Sequence, residues 1–174
     1  SDVQSQLDQR VTADAKEIND LAEQVRKLNI QIASTEGGDT TSSAAGGLRV
    51  QRQGAIDRLS GVFGIQGSEQ PSGGVSISVA GDFLVFEGQR REVEVDKSSQ
   101  NGAASGILKF KDTNGKVQTA TGEVAGFYAA RDQVVGGFIS KLNELAGTLA
   151  FEFNKVYSQG QGNVGFQNLT SVEN

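Results

Sequence analysis

Apolar and polar side chains alternate along residues 2–35 with a heptad period. Polar residues interrupt the apolar stripe only near its start, at Gln4 and Asp14. The apolar heptad positions are Leu7, Val11, Ile18, Leu21, Val25, Leu28 and Ile32. This repeat predicts a long α-helix with a narrow apolar seam that faces another helix. At 1.5 Å per residue, the helix would be roughly 50 Å long.

A second, shorter helix is predicted after a small-residue loop. The loop, GGDTTSSAAGG at 37–47, holds glycines and small polar residues that bury little apolar surface. The helix is predicted over 48–64, where Gly64 suits a left-handed helix cap. Its apolar face consists of Leu48, Ala55, Ile56, Leu59, Val62 and Phe63.

The period changes from helical to alternating between residues 65 and 121, which predicts short strands. The strand candidates are VSISV (75–79), FLVF (83–86), REVEV (91–95) and ILKFK (107–111). In REVEV, Val93 and Val95 would face a core while Glu92, Glu94 and Asp96 face solvent. Asn114-Gly115 indicates a hairpin with a type I′ turn. The segment is therefore predicted to form a small antiparallel β unit.

Helical periodicity returns over residues 123–157. The apolar stripe is formed by Val124, Tyr128, Val135, Phe138, Leu142, Leu145, Leu149 and Val156. Two long helices of similar length should pack side by side, with the short helix against them. The predicted fold is α+β: a long antiparallel three-helix bundle or coiled-coil rod, with an antiparallel β subdomain inserted between helices 2 and 3. The helical rod would comprise 1–63 and 122–160, the β subdomain 64–121, and a following segment or tail 161–174.

Composition narrows the possible functions. The chain contains no His and no Cys, so it cannot supply a Ser–His or Cys–His pair or the usual nitrogen and sulfur ligands of zinc. The net charge of −5, without a basic stripe, argues against nucleic acid as a partner. No apolar run approaches the roughly 20 residues of a membrane span, and no cleavable secretory signal is visible at the start.

Several short motifs contain residue types found in chemical sites, but each has a simpler structural interpretation. GQGNVG (160–165) has dinucleotide-loop spacing, but it follows a helix and not a strand. Glu92, Glu94 and Asp96 could bind a cation or act as acid and base, but a solvated strand face is the simpler interpretation. Asp112 with Asn114 hints at a calcium loop that lacks the later ligands and the closing Glu.

Charged residues inside the predicted helices have a similar pair of interpretations. Arg131-Asp132 and Arg52 could belong to a buried ion pair or a catalytic pair, but such residues in a bundle more often fix helix register. Asn168-Leu169-Thr170 matches a glycosylation acceptor, a triplet that is common by chance. We therefore predict no catalytic, cofactor-binding or metal-binding residue, no cofactor, and no enzyme activity.

Three stretches carry a resemblance to a known family. They are VRKLNIQIAS (25–34), LRVQRQGAIDRLSGVFGIQ (48–66) and GEVAGFYAARDQVVGGFISKLNELAGTLAFEFNKVYSQG (122–160). Together they cover a little over half of the chain, and the third is the most specific. They resemble the flagellar hook-associated protein 1 family, the first hook–filament junction protein. The chain departs from the family pattern in two places. Val50 and Gln53 stand where the family usually has acidic residues, and Ala129-Ala130 stand where it commonly has a larger apolar residue.

The resemblance implies a structural subunit of the bacterial flagellum, exported without a cleaved signal and assembled outside the cell at the hook–filament junction. Its implied partners are neighbouring copies of itself, hook protein, the adjacent junction protein, and an export chaperone that binds elsewhere; no nucleic acid or membrane is implied. The chain would be a middle fragment without the terminal polymerisation segments, and we expect it to be monomeric alone. The alternative is an extracellular coiled-coil stalk that carries a β-rich binding or adhesion head.

Overall fold

The computed structural model describes residues 2–37, 44–96, 99–100, 103–104 and 106–159. Within those ranges the chain forms α1 (Asp2–Glu36), α2 (Gly46–Val62), eight short strands and α3 (Glu123–Gln159), in that order. Contacts divide the chain into two compact units, Ser1–Ala130 and Arg131–Asn174. The helix bounds lie within two residues of those predicted from the apolar periodicity.

The strands lie between α2 and α3 and are all antiparallel. One sheet has the order β1-β2-β3-β4, with β1 at Gln66–Glu69, β2 at Val75–Val79, β3 at Asp82–Phe86 and β4 at Gln89–Arg90. In addition β5 (Val93–Asp96) pairs with β8 (Ile107–Phe110), and β6 (Ser99–Gln100) pairs with β7 (Ala103–Ala104). The α+β class and the antiparallel β region therefore agree with the prediction.

Two-residue turns close the hairpins on either side of β3. Ala80 and Gly81 have φ of 51° and 90°, and Glu87 and Gly88 have φ of 45° and 77°. Two consecutive positive φ angles define the type I′ turn, whose twist matches that of the flanking strands. Each turn pairs its flanking residues directly, Val79 with Asp82 and Phe86 with Gln89.

The hairpin at Asn114-Gly115 forms, but without the predicted type I′ turn. Asn114 has φ of 54°, whereas Gly115 is not left-handed. The Phe110 N–H donates to the Gly115 carbonyl at 2.9 Å, and the Val117 N–H donates to the Leu108 carbonyl at 2.8 Å. The loop is thus longer than two residues, so only its last position needs a left-handed conformation.

The prediction of a left-handed cap at Gly64, at the end of α2, is wrong. Phe63 follows the helix in an extended conformation, with φ of −142°, and Gly64 does not take the left-handed conformation expected of a cap. A Cβ atom at position 64 would lie 2.1 Å from Thr121 Oγ1, and the Gly64 N–H donates to the Thr121 carbonyl at 3.1 Å. Glycine is required there by the close approach of residue 121.

The hydrophobic core lies in the first unit, where α1 packs against α2 and against strands of the β region. The buried face of α1 is wider than the predicted seam, because Ala15 and Ala22 are buried beside Ile18 and Val25. A helix that covers both a helix and a sheet needs this broader apolar face. The largest fully buried side chains are Phe63, Phe110, Ile18, Ile32, Leu59, Ile77, Leu84 and Leu108.

The first two turns of α3 belong to this core. Val124 is fully buried, and Phe127 and Tyr128 pack against the core. The Tyr128 hydroxyl accepts a hydrogen bond from the Leu108 N–H at 2.8 Å and contacts the Val117 carbonyl at 3.3 Å. The start of α3 is therefore fixed to β8 and to the residues that follow the β8 turn.

In the second unit, apolar positions that the sequence assigned to an intrachain seam are exposed. Phe138, Leu142, Leu145, Leu149 and Val156 each retain more than half of their side-chain accessibility. The predicted three-helix bundle is therefore not confirmed for these positions. The helical period identified an apolar face correctly, but periodicity alone does not state what covers such a face.

Candidate functional site

Glu94 of β5 and Glu92, which directly precedes β5, are paired with lysines in and directly after β8. Glu92 Oε2 lies 3.1 Å from Lys111 Nζ, and Glu94 Oε1 lies 3.3 Å from Lys109 Nζ. Asp96 is buried, so the prediction of a wholly solvated acidic face is wrong at this position. Burial along β5 does not alternate: its end residues are buried and its middle residues half-buried. Cross-strand ion pairing accounts for the acidic pattern.

The Asp112–Asn114 turn is fastened by two basic side chains. Arg91 donates to Asp112 through Nε at 2.7 Å and Nη2 at 2.8 Å, and these bonds lower the pKa of the Asp112 carboxyl. The Arg91 guanidinium lies 3.8 Å from the centroid of the Phe110 ring. Lys109 Nζ donates to Asn114 Oδ1 at 3.0 Å. The oxygens considered for calcium therefore hold protein cations.

Arg52 is buried and connects α2 to α1 and to the segment that precedes β2. Its Nη1 donates to Asn29 Oδ1 of α1 at 3.0 Å and to the Gly73 carbonyl before β2 at 2.7 Å. Burial, and next the charge of Arg49, lower the pKa of Arg52. The contacts agree with the interpretation of Arg52 as a residue that fixes register.

Two asparagines on α1 were not identified from the sequence. Asn29 donates to the Val75 carbonyl at 2.8 Å and accepts from the Val75 N–H at 3.0 Å. Asn19 repeats the arrangement with Val93, at 2.7 Å and 2.9 Å. A carboxamide offers the same donor and acceptor as a peptide group. Each asparagine thus imitates a pairing strand at the first residue of β2 or β5.

The remaining motifs give no buried pair or binding loop. Arg131 Nη2 lies 2.6 Å from Asp132 Oδ1, but the Asp132 side chain is exposed, so the interpretation as a buried pair is wrong. GQGNVG (160–165) and Asn168–Thr170 lie outside the described residues. Among the residues that the structure describes, no three Asp or Glu side chains are placed to hold a metal ion. Nor does that part of the chain contain a helix of the length and apolarity needed to cross a bilayer.

Among the described residues of the second unit, large apolar side chains are exposed along α3. Six side chains, 55% to 70% exposed, recur at steps of three and four residues and so share one helix face. They are Phe138, Leu142, Leu145, Leu149, Phe153 and Val156, here termed the α3 stripe. Exposed apolar patches of this kind mark surfaces that bind other protein. The arrangement supports packing and offers no group for chemistry.

Polar residues define the edges of the α3 stripe. Glu152 takes the strict heptad position between Leu149 and Val156, beside Phe153 of the stripe, and lies 3.4 Å from Lys155. Lys141 and Glu144 lie beside Leu142 and Leu145 along the sequence. Tyr157 stacks on Phe153 of the stripe, with ring centroids 6.1 Å apart. An apolar face with charged flanks is typical of a helix that packs against another helix.

The chain has the features of a helical domain from a structural protein. It contains helices of 35 and 37 residues, an antiparallel β region between them and a long apolar helix face. The family model "Flagellar hook-associated protein FlgK helical domain" matches residues 1–168. This chain belongs to that family.

Curated relatives agree with the family match. Flagellar hook-associated protein 1 of Escherichia coli (strain K12) is 25% identical over 165 residues, which cover 91% of this chain and 30% of that protein. The protein of the same name from Salmonella typhimurium (strain LT2) is 24% identical over 173 residues, or 94% of this chain and 31% of that protein. The chain thus spans about a third of the length of these relatives.

Proposed function

We propose that this chain is the helical part of a structural subunit that joins hook to filament in the bacterial flagellum. The observation that carries the proposal is the exposed α3 stripe in a member of the FlgK helical-domain family. A stripe of six large apolar side chains is costly to leave in water, at roughly 25 cal/mol per Å². Lateral packing of helical rods from neighbouring subunits would cover it.

The proposal includes an organisation of the chain. Residues 1–63 and 122–160 form the helical rod, 64–121 form an inserted β subdomain, and 161–174 begin a following segment. The position of all eight strands between α2 and α3 supports the insertion. Partners are neighbouring copies, hook protein, the adjacent junction protein and an export chaperone, and the location is extracellular after export without a cleaved signal.

The chain on its own is proposed to be monomeric, for a reason visible in the stripe. In a parallel pair of α3 helices, two Glu152 side chains would meet at the same seam position, where like charges repel. An antiparallel pair centred on Leu145 and Leu149 would set Glu152 against Leu142. Sedimentation at neutral pH should therefore give the mass of one chain, and concentration-dependent polymers would contradict this.

Antibody labelling tests the proposed location. An antibody raised to this chain is applied to sheared, purified hook–filament preparations from the source cells. Label at the hook–filament boundary, with a detected band well above 18.3 kDa, supports the proposal. Unlabelled flagella with label on the cell surface would overturn it in favour of a stalk with a β-rich head.

A further inference from the structure

Five charged side chains from three helices meet where α3 begins. Arg10 Nη2 donates to Glu123 Oε2 at 2.5 Å, and Arg58 Nη1 donates to Glu123 Oε1 at 3.0 Å. Arg58 also donates through Nε and Nη2 to Glu17, at 2.6 Å and 3.0 Å. Asp14 completes the group. We term these five residues the helix junction; they come from α1, α2 and the first residue of α3.

Asp14 stands apart from the other four because it is buried. Its side chain is only 2% exposed, and Oδ1 lies 3.2 Å from Arg10 Nε. Oδ2 is buried and receives no hydrogen bond from any residue that the structure describes. A buried carboxylate oxygen without a donor is unfavourable when ionised, whereas a protonated carboxyl carries no charge to solvate.

The net charge of the helix junction depends on whether Asp14 is protonated. Arg10 and Glu17 face it from α1, Arg58 from α2 and Glu123 from α3. Two cations and three carboxylates leave an excess of one negative charge, which disappears when Asp14 binds a proton. Arg10 is shared between Asp14 and Glu123, so a neutral Asp14 leaves the guanidinium to Glu123.

We propose that the helix junction is a proton-dependent joint: Asp14 binds a proton as the pH falls, and the first turns of α3 are then held more tightly on α1 and α2. The joint is a property of the first unit and does not depend on where the parent protein assembles. It couples the attachment of α3 to the acidity of the surroundings.

The pKa directions agree with this geometry. Burial raises the pKa of the Asp14 carboxyl, against the lowering effect of Arg10, and the charges of Glu123 and Glu17 raise it further. Hydrogen bonds from Arg10 and then Arg58 lower the pKa of Glu123. The same geometry therefore raises the pKa of Asp14 and lowers that of Glu123. Because its folded pKa is raised, the stability it contributes is full at low pH and is lost as the pH rises through that pKa.

The test compares Asp14→Asn, which fixes the neutral form, with the unmodified chain and with Asp57→Asn, an exposed carboxylate of α2. Urea midpoints are measured from about pH 3 to about pH 8. We expect Asp14→Asn to be more stable at neutral pH, by a gap that shrinks to little at the acid end. Asp57→Asn controls for the loss of an exposed carboxylate, and its gap from the unmodified chain should change less with pH than that of Asp14→Asn.

Amide hydrogen exchange locates the effect. At neutral pH, Asp14→Asn should slow exchange at Phe127 and Tyr128 in the first turns of α3 more than at Ile77 in β2. A gap independent of pH, or an Asp14→Asn chain less stable than the unmodified one at neutral pH, would overturn the proposal. If Asp14→Asn does not fold, NMR titration of the unmodified chain decides: an Asp14 pKa at or below the ordinary aspartate value also overturns it.

Discussion

At the scale of single residues, the Asn29 side chain makes three hydrogen bonds from α1 to other elements. It satisfies the N–H and carbonyl of Val75 and also accepts from the buried Arg52. Replacing it with Ala would leave three polar groups without that partner. Each unsatisfied buried group costs about 1–3 kcal/mol, and partial hydration lowers the sum.

We expect Asn29→Ala to lower the free energy of unfolding by roughly 2–4 kcal/mol, and Asn19→Ala by less, because Asn19 serves only Val93. Urea denaturation measures both. Asn143→Ala, on the exposed part of α3, is the control and should change stability by no more than about 0.5 kcal/mol. Equal losses for Asn29 and Asn19 would show that Arg52 does not depend on Asn29.

Glu23 links stability to acid pH with the opposite sign to Asp14. It accepts from Arg26 Nη2 at 2.7 Å and from Arg90 Nε at 2.9 Å. These bonds, that of Arg26 first, lower the pKa of Glu23 from 4.5 to about 2. Its contribution is therefore present above pH 4.5 and is lost as the pH falls through about 2.

Glu23→Gln should reduce stability by about 1 kcal/mol at neutral pH, since the pair is partly solvated. The difference from the unmodified chain should shrink as the pH falls below 4.5. Thermal unfolding over this pH range measures the difference. Glu144→Gln, at an exposed glutamate of α3, is the control and should give a difference that changes less with pH than that of Glu23→Gln. A constant Glu23→Gln difference would contradict the assigned pKa.

At the scale of elements, Gly122 determines how α3 begins. It has φ of +89°, and a Cβ atom there would lie 2.8 Å from the Val62 carbonyl oxygen at the end of α2. Gly122→Ala should therefore cost at least about 2 kcal/mol, from the left-handed conformation and the clash together.

Gly126, one turn into the same helix, is the matched control. A Cβ atom there meets nothing within 4 Å, so Gly126→Ala should raise stability by up to about 1 kcal/mol. Chemical denaturation of the two variants gives the signs. Two destabilised variants would mean that the position of α3 on α2 is not what makes Gly122 necessary.

The helices and strands could be predicted because the local pattern of apolar residues determines them. How these elements pack against one another could not be predicted in the same way. The periods of 3.6 and 2 residues located all three helices and the strands β2, β3, β5 and β8. They did not reveal that α1 covers strands as well as α2, which is why Ala15 and Ala22 were missed as core residues. Asp14 was recognised only as an interruption of the stripe, since its burial depends on helices distant in sequence.

At the scale of the whole molecule, the α3 stripe is an apolar face that the sequence located, whereas the three-helix packing predicted for it is not confirmed. Its periodicity predicted an apolar face, and the expected occupant was α1 of the same chain. In the structure these side chains of the second unit are exposed. Within the first unit, α1 packs on α2 and on the β region. One sequence shows that a helix face is apolar, but the covering partner depends on the assembly.

The central claim is that assembly covers the α3 stripe. This chain has no cysteine, so a thiol introduced into it reports on one position once the labelling of the unsubstituted parent protein is subtracted. Leu142→Cys lies within the stripe, and Ser140→Cys lies on the opposite face of the same helix, since two residues turn an α-helix by about 200°. Each variant of the parent protein is produced in the source cells and treated with maleimide before and after incorporation into flagella.

The free protein should label at both positions, since both side chains are exposed. After incorporation, we predict that Leu142→Cys is protected while Ser140→Cys keeps a higher reactivity. Full labelling of Leu142→Cys in assembled flagella would contradict the claim, because a covered stripe excludes the reagent.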